Sequence, residues 1–339
     1  MKISILLATY NGEKYLHDQL DSVLSQDFKD FTLYISDDGS FDNSLRIITD
    51  YSKKDERIKI LPQHEPNKSA CKHFLYMLEN VESDLFLFSD QDDVWTKDHI
   101  STLVEKYVSL SENEKKLPIL IHSDLYVTDK NLNVISKSFF DYALLSKHPV
   151  HKNSYFLENN VTGGVMLINK KLKDFVFKNE NYLRANIEKI PMHDQFFALL
   201  AFKFGKIIFI DKPLEFYRQH ENNVVGAKNV KSIKNIFNKI LSIDNSWLKK
   251  SQNFVSFFLT CYFDLLVSDE RAILAMFIDL RRLSKRKAVR FLIQNDFLKE
   301  NWKRQILQIL SILFLKENER YDKRVHGDLQ RRAFHKRAD

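Results

Sequence analysis

The sequence predicts an α/β fold: a mostly parallel mixed sheet flanked by helices, followed by an α-helical C-terminal extension. Three observations predict it. Through about residue 220, short apolar runs alternate with segments whose apolar residues recur at helical spacing. Beyond about residue 230 the strand signals stop and helical periodicity takes over. Acidic clusters fall where strand signals end, the side of such sheets on which ligands sit.

The elements follow in order. Ile3–Ala8 reads as a strand, and Glu13–Gln26 as a helix with Tyr15, Leu16, Leu20, Val23 and Leu24 on one face. Phe31–Ile35 is a second strand, and Asp42–Tyr51 a helix with Asp42 as its candidate cap. Ile58–Leu61, Leu85–Phe88 and Ile119–His122 are further strands; Ser69–Glu79 and Lys97–Leu110 are helices. In the extension, helices are expected over Lys231–Leu241, Trp247–Val267, Asp269–Leu283, Lys287–Gln294 and Phe297–Leu315. The expected division is residues 1–228 for the α/β domain and 229–339 for a helical, basic region.

Composition narrows the class. The 339 residues are 44% hydrophobic and 29% charged, enough for a packed core. Seven glycines and six prolines against 27 phenylalanines argue against a fibrous or linker-rich chain. The two cysteines, Cys71 and Cys261, lie far apart without metal-ligand spacing, so a reducing, cytoplasmic setting is expected. Residues 1–8 read as a strand, so no secretory signal is expected. The longest apolar stretches fall short of the ~20 residues a spanning helix needs. The net charge is +7, and residues 281–339 alone hold 17 Lys/Arg against 7 Asp/Glu. A basic helical tail suits an anionic membrane surface or is simply a solvated face. No nucleic-acid motif accompanies it.

Several segments could carry chemistry. Asp90, Asp92 and Asp93 repel one another unless water screens them or a cation sits among them. Hard divalent ions such as Mg²⁺ or Mn²⁺ accept such oxygen ligands. The same triplet also reads as an acidic surface turn, against which stand the preceding apolar strand and the adjacent Trp95. Asp37 and Asp38 could accept hydrogen bonds from a base or ribose, or could form a turn in which Gly39 supplies a positive φ. Thr9, Tyr10 and Asn11 follow the first strand without a dinucleotide or P-loop glycine pattern, which disfavours NAD enzymes and P-loop ATPases. Asp194, in Met192-His193-Asp194-Gln195, is either the cap of the helix Phe196–Phe204 or a general base. His220, near Arg218, could complete a metal's ligands or hold a diphosphate. Gly163 and Gly164 permit close backbone approach, for a sugar or for a tight turn.

Together these segments resemble the family 2 glycosyltransferases of the GT-A (Rossmann-like) fold, most nearly the bacterial rhamnosyltransferase-like branch. The matching stretches are Ile5–Gly12, Ser36–Ser40, Ser89–Trp95, Val161–Gly164, His193-Asp194 and Tyr217–Asn223, spread over roughly residues 1–227. The resemblance implies an inverting hexosyltransferase. Thr9, Tyr10, Asn11, Asp37, Asp38, Asp90, Asp92, Trp95, Gly163, Gly164 and Arg218 would line the nucleotide-sugar. Asp92, Asp93 and His220 would hold Mg²⁺ or Mn²⁺, and Asp194 would be the catalytic base. It also implies a dTDP-rhamnose or UDP-sugar donor and a lipid-linked saccharide acceptor in bacterial surface polysaccharide synthesis, at the inner face of a membrane. The family often has Glu-Asp where this chain has His193-Asp194. This chain also lacks the Gln-x-x-Arg-Trp motif of processive synthases, which favours adding one or a few sugars. The C-terminal region is expected to serve acceptor, membrane or homo-oligomer contacts. A nucleotide-sugar pyrophosphorylase would need a glycine-rich N-terminal loop that Leu7–Gly12 does not supply. A silent glycan-binding or scaffold protein of the same fold is the other alternative, opposed by the intact acids at 90, 92, 93 and 194.

Overall fold

A computed structural model describes residues 1–62, 65–221 and 246–314. The chain divides into two compact units: Met1–Pro149, Glu158–Glu180 and Ile190–Ser232 form one, and Val150–Leu157, Asn181–Lys189 and Ile233–Asp339 the other. The expected helix Lys231–Leu241 lies outside the described residues.

In the first unit the chain runs β1 (Ile3–Thr9), α1 (Leu16–Leu24), β2 (Thr32–Asp37), α2 (Ser44–Ser52), β3 (Ile58–Ile60), α3 (Ala70–Asn80), β4 (Leu85–Ser89), β5 (Val94–Trp95), α4 (His99–Val108), α5 (Glu112–Lys115), β6 (Ile119–Thr128), β7 (Val134–Ser136) and α6 (Phe139–Ala143). It continues through β8 (Met166–Asn169), α7 (Lys170–Val176), α8 (Glu180–Ala185, which leads into the second unit), α9 (His193–Phe204) and β9 (Lys206–Arg218). The strand order is β3-β2-β1-β4-β8-β6-β9-β5, with β7 on β6. The α/β fold expected from the alternating pattern is the one found.

β1, β2, β3 and β4 pair in parallel. Their near-continuous apolar runs suit strands covered on both faces, and β4 is buried along its whole length. Leu16, Leu20 and Val23 of α1 pack with Leu33, Ile35, Leu85 and Leu87 of the strands and Leu103 of α4 in one core cluster. The second half mixes directions: β8 runs antiparallel to β4 and β6, and β5 antiparallel to β9. β6 extends six residues past the expected His122, and the polar residues Ser123, Asp124 and Thr128 of that extension are hydrogen-bonded inside. Buried Asp124 accepts the N–H groups of Leu125 and Phe139 at 2.8 and 2.9 Å. The register of β6 with β9 shifts there, opposite Pro213, which cannot donate to the ladder.

Two local expectations change. Asp42 does not cap α2; Asn43 stands at the cap position. Instead Asp42 takes the Ser44 and Glu13 N–H groups, each at 3.0 Å, tying the start of α2 to the loop after β1. Asp194 does not cap α9 either, because Met192 holds that position and Asp194 lies in the first turn.

In the second unit α10 (Ser246–Cys261), α11 (Ser268–Ile278), α12 (Lys285–Gln294) and α13 (Trp302–Leu313) bear out helix as the only regular element type there among the described residues. The single helix expected over Trp247–Val267 ends at Cys261, and a new one starts at Ser268 with Asp269 and Glu270 in its first turn. Phenylalanines fill this unit's core. Phe156 meets Phe254 and Phe258 edge-on, and Phe277 stacks on Phe297 at 4.1 Å. Among the described residues no helix is long and apolar enough to cross a membrane.

Candidate active site

The sheet brings the ends of β1, β2 and β4 side by side, with Thr9 opposite Asp37 and Leu7 opposite Ser89. The three loops that leave these ends are held to one another by side chains. Gln91 grips the backbone of Tyr10 from both sides, accepting its N–H at 2.8 Å and donating to its carbonyl at 2.9 Å. Gly12 is required by that grip, since a Cβ there would lie 2.2 Å from Gln91 Oε1. Asn11 has a positive φ of 48°, donates its N–H to Ser40 Oγ and accepts the Phe41 N–H. Tyr10 is left 51% exposed.

Asp37 organises this corner. It accepts the Thr9 hydroxyl at 2.8 Å, the Ser40 hydroxyl at 2.5 Å, and the N–H groups of Gly39 and Ser40 at 3.1 and 2.8 Å. Its lone pairs are therefore met internally, and a nucleobase N–H would bind by displacing one of these donors. Gly39 has the positive φ expected of it, 87°. Asp38 is buried and clamps the following segment through the N–H groups of Asn67 and Lys68.

The acidic loop between β4 and β5 divides by depth. Asp90 and Asp92 are partly buried; Asp93 is fully buried. Asp92 Oδ2 meets His220 Nε2 at 2.8 Å. Asp93 turns inward, accepting the Arg218 N–H at 2.8 Å and meeting the side chain of Glu215. Burial is the main cause that pushes Asp90 up to about 7, with the charges of Asp92 and Asp194 adding to it. Asp194 is likewise held up at about 7 by burial, against hydrogen bonds from the Gln195 N–H, the Asn159 side chain and the Gly163 N–H. The acidic loop and the Asp194 segment, 100 residues apart in sequence, thus share one electrostatic site.

The other expected site residues are placed as follows. Trp95 is buried, stacked on His99 at 3.9 Å with its Nε1 donating to Glu215, so it packs the interior instead of facing a ligand. The Arg218 side chain is 4% exposed. It donates to the carbonyls of Asp92 and Lys130 and to Asp18 Oδ2 at 2.8–2.9 Å, and its guanidinium lies over the Tyr15 ring. It staples the acidic loop to α1. Gly163 and Gly164 give room to protein: a Cβ would lie 3.1 Å from His193 Nε2 at the first and 2.3 Å from Glu215 Oε2 at the second. His193 is buried against Phe74 and Phe88, and burial pushes its imidazole down to about 3. The Asn222-Asn223 end of the expected motif lies outside the described residues.

Sequence reasoning passed over Glu215, Gln91, Tyr15 and Asp18. Two of them left a signal: Gln91 lies inside the matching stretch Ser89–Trp95, and Glu215 is an acid set among Pro213, Leu214, Phe216 and Tyr217 in a strand.

The glycosyl transferase family 2 model matches residues 4–112. The dTDP-rhamnosyl transferase RfbG of Shigella flexneri is 31% identical over 253 residues, covering 72% of this chain and 81% of that protein. Glycosyltransferase GlyG of Streptococcus pneumoniae serotype 4 is 24% identical over 231 residues, 67% of this chain and 73% of that one. The solved structure of S. aureus TarS 1-349 in complex with UDP-GlcNAc is 18% identical with a TM-score of 0.49, covering 86% of this chain and 84% of that chain. The chain belongs to glycosyl transferase family 2. It is a glycosyltransferase, with a relative that is a rhamnosyltransferase.

Proposed function

We propose that this glycosyltransferase is inverting and metal-dependent, and moves rhamnose from dTDP-rhamnose to a hydroxyl of a lipid-linked or oligosaccharide acceptor in bacterial surface polysaccharide synthesis. The observation that carries the reading is the convergence of Asp90, Asp92 and Asp194 on one site, with Asp194 held near neutrality. A base is most effective when its pKa lies near the working pH. The donor rests on the similarity to the dTDP-rhamnosyl transferase of Shigella flexneri; a UDP-sugar is the alternative donor.

The residues present fit a divalent cation. Asp92 and His220 offer oxygen and imidazole ligands, and the charges of Asp92 and Asp194 that add to the effect of burial on Asp90 are of the kind a cation relieves. Among the described residues no ready-made group of three or more such side chains surrounds a metal position. Asp92 and His220 would therefore hold Mg²⁺ or Mn²⁺ together with the donor's diphosphate oxygens. Asp93, expected as a further ligand, supports this pair from behind through Arg218 N–H and Glu215. When bound, the ion neutralises charge on the departing nucleoside diphosphate.

This chain's own residues do the rest. Thr9, Tyr10, Asn11, Asp37 and Asp38 form the nucleotide corner, with the exposed Tyr10 ring available to the base. Asp194 takes the proton of the acceptor hydroxyl as its oxygen bonds to the anomeric carbon, and the sugar–diphosphate bond breaks with its electron pair on the diphosphate.

The helical region, residues 229–339, is the proposed acceptor and membrane-surface side. Trp302 and Ile306 lie one turn apart on α13, with Leu313 further along the same stripe and Phe314 beside it, all exposed. Residues 281–304 carry nine Lys/Arg against two Asp/Glu. Exposed apolar side chains in a basic stretch of chain suit the inner face of an anionic membrane.

The test is a thermal-shift and calorimetric panel of nucleoside diphosphates and their sugars, with and without Mn²⁺. Metal-dependent stabilisation selective for thymidine diphosphates, with turnover of dTDP-rhamnose, is the expected result. No response to any nucleotide in the presence of metal would leave a silent binding protein of the same fold.

A further inference from the structure

Glu215 lies at the junction of three segments of the site. It sits on β9 opposite Trp95 of β5 and is 1% exposed. Trp95 Nε1 donates to its Oε2 at 3.1 Å, and its carboxyl meets the side chain of Asp93. The same carboxyl lies against the Gly163-Gly164 turn: a Cβ on Gly164 would stand 2.3 Å from Oε2 and 2.7 Å from Oε1. That turn in turn donates the Gly163 N–H to Asp194. A continuous set of contacts therefore runs from the acidic loop through Glu215 to the base.

A buried carboxyl in an aromatic strand costs stability unless it is hydrogen-bonded. Leucine or phenylalanine would fill the space without that cost. A requirement that selects Glu over them must come from its oxygens: Oε2 takes the indole N–H, Oε1 is buried without a geometric hydrogen-bond partner among the described residues on the side where the carboxyl meets Asp93, and the flat end fits a side-chain-free glycine.

We propose that Glu215 is a positioning residue that sets the spacing between the acidic loop and the Gly163-Gly164 turn, and so the alignment of the donor with Asp194. The proposal rests on the transfer reading above. Glu215 touches no substrate; it acts through Asp93 and Trp95 on one side and through Gly164 on the other.

The test uses the full chain with dTDP-rhamnose and Mn²⁺. Turnover is measured per nucleotide-binding site, counted by dTDP titration, so that unfolded protein does not enter the rate. Glu215→Gln keeps the length, an acceptor for Trp95 and a donor for Asp93, and should hold turnover within ~3-fold of wild type, because the geometry survives. Glu215→Asp withdraws the carboxyl by one methylene and should lower kcat by ~10- to 100-fold at unchanged dTDP affinity, the cost of a displacement of about 1 Å. Gly164→Ala should be impaired by overlap with Glu215. The double variant Gly164→Ala/Glu215→Asp should recover part of that loss, since the shorter acid vacates the place of the new methyl.

Wild-type kcat in Glu215→Asp would overturn the proposal, as would a double variant no better than Gly164→Ala alone. If Gly164→Ala does not fold, the kcat-against-affinity split of Glu215→Asp and the rescue by Glu215→Gln decide alone. A merely structural role would lower the number of binding sites and leave the rate per site unchanged, which also overturns it. Absence of dTDP binding and turnover in the wild type would overturn the transfer reading itself, and this proposal with it.

Discussion

His220 Nε2 stands 2.8 Å from Asp92 Oδ2, joining the chain just beyond β9 to the acidic loop after β4. Tyr15 stacks on the imidazole at 5.0 Å and fixes its plane. On the proposed function this pair holds the cation. Asp92→Ala and His220→Ala are each expected to weaken Mn²⁺-dependent dTDP binding by ~10- to 100-fold, as loss of a metal-shell group does. Chelation should have the same effect on the wild type. Equal titration curves for wild type and both variants would remove the pair from the metal shell.

Asp93 should behave differently from Asp92. Its carboxyl is spent on Arg218 N–H and Glu215 inside the protein. Asp93→Ala removes the carboxylate that accepts the Arg218 N–H and should cost about 1–3 kcal/mol of stability. A melting curve checks this. Full stability with lost metal affinity would show Asp93 to be a ligand after all.

Asp194→Asn should abolish transfer while dTDP affinity stays within ~2-fold, because a base acts in the transition state. Calorimetry against turnover separates the two. Matched losses of affinity and rate would count against the assignment.

The raised carboxyls give a pH dependence of defined sign. Asp194 must be ionised to accept a proton, and its folded value is about 7. The rate should therefore climb as pH rises through ~7 and level off above it. Stability should run the other way. Asp90 and Asp194 hold protons in the folded state that the unfolded chain, at the ordinary value of 3.8, has already lost. Stability is greatest below about pH 4 for these groups and falls as pH rises through 7. Asp194→Asn should thus melt higher than wild type at pH 8. A rate limb far from neutrality, or a variant that melts lower at pH 8, would contradict the burial argument.

Membrane contact is measured by co-sedimentation with vesicles of phosphatidylcholine alone and with phosphatidylserine added. Binding is expected only with the anionic lipid, and it should weaken with salt. Trp302→Ala/Ile306→Ala should reduce it at unchanged net charge. Retention of full binding by that double variant would place the contact elsewhere.

The sequence alone determined the α/β order, because period-2 and period-3.6 patterns follow from local geometry and burial. It also marked the loops after β1, β2 and β4 as the place for a site. What it could not resolve was which members of each motif face a ligand and which face the protein. Asp92 and Asp93 are neighbours in sequence, yet one meets His220 near the surface and the other meets Glu215 in the interior. Trp95 reads as a ligand contact until its stacking on His99 puts it in the core. Gly164 reads as room for a sugar until Glu215 is seen to fill that room. All three involve β9 or the chain just beyond it: His220 meets Asp92 from 128 positions later, and Glu215 takes the Trp95 indole N–H and fills the space beside Gly164. Only tertiary structure decides such pairings, because contact between distant segments is fixed by how strands pair and how the core closes, and local sequence patterns carry no record of it.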